Sequence, residues 1–183
     1  VWYYAAFTEY LGFDANDGEY KVMGLAAYGK PNKDIWSKLG KVITESDDEF
    51  YVINSEYVLN GPKNFSIHFT DNLIELFDKP PRLSNELIDQ WHKDLGYAVQ
   101  KKLEQAVVKL VRWAIRETGE TNVCVGGGTG LNVKMNTALF NLPEVDGFFA
   151  HPLCDDSGAA AGTALLACYQ DSGYLPEKLM HLA

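Results

Sequence analysis

Val123-Cys124-Val125-Gly126-Gly127-Gly128-Thr129-Gly130-Leu131-Asn132 is the stretch on which the fold turns. A short apolar run of buried-strand character passes straight into a glycine loop, and Val133 to Phe140 then carries a helical pattern. A second strand is predicted at Gly147 to Ala150. The polar loop His151-Pro152-Leu153-Cys154-Asp155-Asp156-Ser157-Gly158 follows it, and a small-residue helix is expected over Ala159 to Tyr169. Strand, tight loop and helix, twice in succession, predict an α/β architecture.

Upstream, Ile88, Trp91, Leu95, Val99, Leu103, Ala106, Leu110, Ala114 and Ile115 recur near the helical period. Lys101, Lys102, Glu104, Gln105, Lys109 and Arg112 fill the positions between them, which predicts a solvated opposite face and makes the apolar stripe core packing. Gly119 suits the end of this helix, Gly96 marks a bend or join within it, and His92 reads as a partly exposed helical residue. Closer to the start, Val1 to Phe13 reads as an aromatic helix closed at Leu11-Gly12. A short helix is expected from Glu19 to Tyr28, stopped by Tyr28-Gly29-Lys30-Pro31. Glu45, Asp47, Asp48, Glu49 and Glu56, with no base among them, mark residues 42–60 as an acidic surface insertion, with strand candidates at Phe50–Ile53 and Tyr57–Leu59. The chain opens on Val1 rather than Met, which reads as the interior of a longer frame.

The 183 residues carry 46% hydrophobic and 22% charged side chains, a globular balance that argues against disorder. A formal charge of −9 argues against a nucleic-acid surface, because such binding draws most of its free energy from neutralising phosphates. No uninterrupted apolar run reaches the ~18 residues of a membrane span. Cys124, Cys154 and Cys168 form an odd set without a CxxC pair, which fits a reducing, cytoplasmic setting. His68, His92, His151 and His181 are too widely spaced for a self-contained metal motif.

Two loops can carry chemistry. Glycines between a strand and a helix let backbone N–H groups approach a phosphate, but Gly126 to Asn132 lacks the Lys-Ser/Thr of a P-loop and the full dinucleotide fingerprint. Nucleotide contact and a tight structural turn are both open. In the second loop, Asp155 or Asp156 caps the next helix or offers a carboxylate to a metal, and Cys154 has no identifiable base to make it a nucleophile. Lys21, in Gly18-Glu19-Tyr20-Lys21, pairs near Glu19 or reaches a ligand phosphate.

Taken in order, Phe7-Thr8-Glu9-Tyr10-Leu11-Gly12-Phe13, Gly18-Glu19-Tyr20-Lys21-Val22-Met23-Gly24-Leu25-Ala26 with Tyr28-Gly29, Leu95 to Gln100, Gly127-Gly128 through Leu131-Asn132, and Asp156-x-Gly158 resemble the carbamoyltransferases of the nodulation and antibiotic-biosynthesis type. Those enzymes share an actin-like (ribonuclease H-like, ASKHA) domain with the tRNA threonylcarbamoyl transferases. The resemblance implies that residues 1–183 are a single partial domain, the second half of that actin-like domain, with a short mixed sheet and packed helices.

It further implies transfer of a carbamoyl group from carbamoyl adenylate, made from carbamoyl phosphate and ATP, to a hydroxyl of a small-molecule acceptor, with release of AMP. The remaining domains belong to the same polypeptide, so the isolated fragment is expected to be inactive. Asp156 matches a ligand of the family's iron-type divalent metal, whose two His ligands lie outside this chain. Gly127, Gly128 and Asn132 match its nucleotide loop, and Gly18, Glu19, Lys21 and Gly29 fall in a segment lining the adenosine side. Where the family tends to place a small residue before the metal aspartate, this chain has Asp155. The alternatives are an actin-like small-molecule kinase, a tRNA-modifying relative, and a non-catalytic interaction domain whose binding face is the aromatic run Trp2, Tyr3, Tyr4, Phe7 and Tyr10.

Overall fold

Aromatic and apolar residues at the start of the chain wind into a helix, α1 (Trp2–Tyr10), in a computed structural model that describes residues 2–44, 51–59 and 67–174. Gly12, at φ 75°, ends it in the left-handed region where a side chain would be strained. The next elements are α2 (Glu19–Leu25) with a 3-10 turn over Ala26–Tyr28, α3 (Lys33–Val42), and the strands β1 (Ile43–Thr44) and β2 (Val52–Ile53). After these come α4 (Asp71–Phe77), α5 (Gln90–Thr118), β3 (Asn122–Val125), α6 (Val133–Phe140), β4 (Gly147–Ala150) and α7 (Ser157–Ser172). The chain divides into two compact units, Val1–Ala114 and Ile115–Ala183, with the boundary inside α5.

The first unit is a helical packing around Phe7, Tyr10, Leu11, Val22, Ile35, Leu39, Leu73, Leu95 and Val99, all fully buried. Each such side chain contributes ~2 kcal/mol of burial. Edge-on ring pairs knit this core: Tyr10 with Phe69 at 5.3 Å, Phe77 with Trp91 at 5.8 Å and Phe7 with Phe77 at 6.1 Å. The aromatic run of α1 is therefore no binding face. Tyr3, Tyr4, Phe7 and Tyr10 are at most 6% exposed, consumed by the core of their own unit.

Three other expectations are corrected here. Gly96 joins no two helices, because α5 runs unbroken for 29 residues; its missing side chain lets Leu25 pack to 3.4 Å of where a Cβ would stand. His92 is buried, held at the helix start by Asp89. Glu104 belongs to the inward side: Tyr4 donates to Gln100 Oε1 (2.8 Å), Gln100 Nε2 donates to Glu104 Oε1 (3.0 Å), and Lys101 neutralises Glu104 at 2.5 Å. A buried acid is tolerable only with such partners. The helices α3 and α4 were not anticipated; α3 starts on Asn32, whose Oδ1 accepts from the N–H groups of Asp34 and Ile35.

Strands are sparse. β1 pairs antiparallel with β2, Ile43 opposite Ile53, while Glu45, Asp47, Asp48 and Glu49 of the acidic run lie outside the described residues. Val58 forms only an isolated bridge to Phe69, and Tyr57–Leu59 is not a strand. In the second unit β3 and β4 pair in parallel, Asn122 opposite Gly147 and Val125 opposite Ala150, with α6 as the crossover. Among the described residues there are thus two separate two-stranded ladders instead of one mixed sheet. No helix among them is long and apolar enough to cross a membrane.

Candidate functional site

Both sequence-derived loops leave the same edge of the parallel pair β3–β4, its C-terminal end, where ligands gather in open α/β sheets. Val125 ties them together: its carbonyl accepts the His151 N–H at 3.3 Å and faces the Cys154 thiol at 3.7 Å. Gly130 presses against Cys154, whose Sγ lies 2.8 Å from the position a Cβ would take. Any side chain at residue 130 would push the two loops apart. Cys154 is thereby a packing residue, 3% exposed, with its thiol on the His151 carbonyl.

The glycines before it behave differently. Gly127 holds φ 78° and ψ 168°, a conformation open to glycine alone. Among the described residues no atom lies within 4 Å of where a Cβ would stand on Gly126, Gly127 or Gly128, so packing against them does not explain the first and third. After a 3-10 turn over Gly128–Leu131, Asn132 caps α6 by accepting the Met135 N–H on Oδ1 at 2.9 Å. One turn on, Asn136 Nδ2 donates to the Gly130 carbonyl at 2.7 Å, while its buried Oδ1 has no partner among the described residues. Asn136 was missed at the sequence level. The available signal was its i+4 spacing from Asn132, which puts both amides on the loop side of the helix.

The two aspartates divide their work. Asp155 Oδ1 accepts the Ser157 N–H at 3.0 Å and the Ser157 hydroxyl, hydrogen bonds that hold its carboxyl below the usual carboxylate range. Asp156 occupies the N-cap position of α7, yet its exposed carboxylate makes no capping hydrogen bond. The helix start is served by Asp155, and Asp156 is left pointing its charge at solvent. Gly158, tight against the Leu153 carbonyl (2.5 Å from a Cβ position), fixes the turn between them. Among the described residues no three His, Cys, Asp or Glu side chains cluster as a metal cage. The loop after β4 offers the exposed Asp156 carboxylate, which fits a shared metal site only as one ligand among others from elsewhere.

The remaining candidates, Gly18, Glu19, Lys21 and Gly29, belong to the first unit. Gly18 precedes α2 and sits over the Asp14 carbonyl, 2.8 Å from a Cβ position. Glu19 does not pair with Lys21; its Oε1 accepts the Asn16 N–H at 2.7 Å. Lys21 Nζ lies over the rings of Tyr20 (5.6 Å) and Phe13 (5.9 Å). Gly29 is the close-approach point of the turn after α2 against α5, 2.6 Å from Tyr97 Cβ at the Cβ position.

Residues 2–165 match the model of the carbamoyltransferase N-terminus, and the chain belongs to that family. It is similar to an uncharacterised protein of Synechocystis (32% identity, 91% of this chain, 27% of the relative) and to one of Methanocaldococcus jannaschii (29%, 89% and 24%). Nodulation protein NolO of Bradyrhizobium diazoefficiens is 28% identical over 90% of this chain and 27% of its own length. The chain thus spans about a quarter of the length of these curated relatives.

Proposed function

We propose that this chain is the second half of an actin-like domain in an ATP-dependent carbamoyltransferase. The enzyme carries a carbamoyl group from carbamoyl adenylate, made from carbamoyl phosphate and ATP, to a hydroxyl of a small-molecule acceptor, and AMP leaves. The observation that carries this reading is the run of three glycines with open space at every Cβ position, on the C-terminal edge of a parallel strand pair in a carbamoyltransferase-family chain. In the proposal the backbone N–H groups of Gly127 and Gly128 face phosphate oxygens, Asn132 fixes the loop by capping α6, and Gly18, Glu19, Lys21 and Gly29 belong to the adenosine side. Asn136 holds the loop from below through the Gly130 carbonyl.

Asp156 is the metal ligand this chain supplies, its carboxylate free because Asp155 has taken over the cap. The two His ligands and the adenylate-forming domain belong to the rest of the polypeptide. An iron-type divalent cation held there would supply Lewis-acid polarisation of a carbonyl or phosphoryl oxygen. The chain's own residues orient the nucleotide, through the loop backbone and the Asn132 cap. The reading places the enzyme in the cytoplasm, without nucleic-acid or membrane partners, and treats the isolated fragment as inactive.

The test is single-turnover chemistry in the intact reading frame with Gly128→Val. Carbamoyl-adenylate formation should persist while transfer to the acceptor and affinity for the adenylate fall together. Unchanged transfer sinks the loop assignment, and ADP in place of AMP as the nucleotide product points to a kinase of the same superfold.

A further inference from the structure

The two loops at the ends of β3 and β4 each bury one residue, and they bury it against each other. In residues 126–132 only Gly130 is buried, and in residues 151–158 only Cys154. Both peptide groups of Gly130 are held: its N–H donates to the Gly127 carbonyl at 2.8 Å, and its carbonyl accepts from Asn136 Nδ2 at 2.7 Å. A Cβ there would stand 2.8 Å from Cys154 Sγ and 3.3 Å from Val125 Cγ1. Cys154 is held from the strand side, its thiol 2.6 Å from the His151 carbonyl and 3.7 Å from that of Val125.

From Cys154 to the start of α7 the chain has little slack. The Gly158 N–H donates to the Asp155 carbonyl at 3.1 Å and the Ser157 N–H to Asp155 Oδ1 at 3.0 Å. A Cβ on Gly158 would stand 2.5 Å from the Leu153 carbonyl. Asp156 lies inside that turn, so a displacement of Cys154 is carried to its carboxylate, as tightly packed segments transmit strain. We infer that the Gly130–Cys154 contact sets the distance between the glycine loop and Asp156, which makes both of them positioning residues for carbamoyl transfer. The inference rests on the proposed transfer site and adds to it the contact that joins its two loops. A methyl at residue 130 would have to open 2.8 Å to the roughly 3.5–4 Å of an ordinary contact, a shift of about 1 Å. The glycine loop is anchored through Gly127 and Asn136, so the side that yields is the Asp156 loop.

The test is a size swap in the intact reading frame: Gly130→Ala, Cys154→Ala and the double variant. Gly130→Ala should lower kcat for transfer at saturating acceptor about a hundredfold, the cost of a 1 Å misplacement at a reacting centre, with AMP affinity and carbamoyl-adenylate formation within about twofold of wild type. Cys154→Ala alone loosens the contact and should lower transfer less. In the Gly130→Ala background the same change removes the clashing sulfur and should raise transfer about tenfold, a reversal of sign that marks direct contact. Amide exchange over residues 153–158 should quicken in Gly130→Ala and slow again in the double variant, a readout independent of activity. Wild-type transfer in Gly130→Ala, or additive losses in the double variant, overturns the coupling. A fall in AMP affinity with kcat unchanged also overturns it, because the glycine loop has then yielded. Wild-type transfer in both Gly130→Ala and Asp156→Ala brings down the transfer site itself, whereas loss in Asp156→Ala alone removes only the coupling.

Discussion

Asp89 and His92 close the first turn of α5 on each other. Asp89 Oδ1 accepts the His92 N–H at 3.0 Å, and His92 Nδ1 lies 3.2 Å from the Asp89 N–H, the reciprocal pattern of a capping box with histidine in the usual Glu/Gln position. The same Nδ1 is 2.7 Å from Asp89 Oδ1. One nitrogen cannot serve both. Neutral imidazole accepts from the backbone N–H, whereas imidazolium must turn that atom into a donor toward the carboxylate.

That conflict has a pH signature. Burial lowers the His92 pKa; Asp89 works against the shift, and Lys79 and Arg82 add to it. The unfolded state therefore binds the extra proton first, and stability falls as pH drops below about 6.5 toward the lower folded value. For Asp89, burial opposes ionisation, but the hydrogen bonds from Lys79 and His92 hold it at about 2. Its contribution is present above the unfolded carboxylate pKa and lost on the way down to about 2. Melting temperatures from pH 7.5 to 5 should decline less in His92→Gln, which keeps a capping partner at that position, than in wild type. Identical slopes would show that His92 titrates alike in both states.

Gly29 and Gly24 make opposite predictions from the same substitution. Alanine at residue 29 would place its methyl 2.6 Å from Tyr97 Cβ and against the Lys93 carbonyl, forcing the turn off α5. Overpacking of this kind costs about 1–3 kcal/mol. Alanine at residue 24, inside α2 with nothing within 4 Å, should stabilise by about 0.5–1 kcal/mol. Urea unfolding of the two variants separates packing from propensity.

Arg82 is a buried cation answered by carbonyls. Its guanidinium donates to the backbone oxygens of Leu11 (2.7 Å), Gly12 (3.2 Å), Leu83 (2.8 Å), Ser84 (3.3 Å) and Glu86 (2.7 Å), pinning the end of α1 to the loop before α5. Lysine cannot reproduce that fork. Arg82→Lys should lose roughly 2–4 kcal/mol through orphaned carbonyls, and amide exchange should speed up at residues 11–13. Protection unchanged there would mean that the turn holds itself.

Asp155 and Asp156 should separate cleanly in the intact enzyme. Asp155→Ala removes the Ser157 hydrogen bonds and weakens the start of α7 by ~1 kcal/mol while transfer survives. Asp156→Ala should leave folding and carbamoyl-adenylate formation intact and abolish transfer. Wild-type transfer in the second variant, or its loss in the first alone, would reverse the two roles.

Local pattern made the elements near both loops legible before any coordinates. The glycine run between strand and helix, the alternation of the second unit and the long stripe of α5 are periodicities written in adjacent residues. What misled was burial. His92 and Glu104 look solvent-facing by helical spacing, yet both are buried, His92 against Asp89 and Glu104 against Lys101 and Gln100, which Tyr4 of α1 meets in turn. The α1 aromatics look like a docking face, and they are core because Leu73, Phe77 and Leu95 close over them. The first helical half also hid α3 and α4, whose short amphipathic runs are stabilised by packing more than by propensity.

The sequence by itself determined the family and the order of strand, glycine loop and helix in the second unit, because these depend on caps and short-range spacing. Only the tertiary structure decided which acid is free and which is spent on a helix start. It also decided that Gly29 is a packing contact while Gly126 and Gly128 face open space, and that Gly130 clamps one loop to Cys154 of the other. Those are facts about what stands across from a residue, and chains bring such partners together only when the apolar surfaces between them have closed.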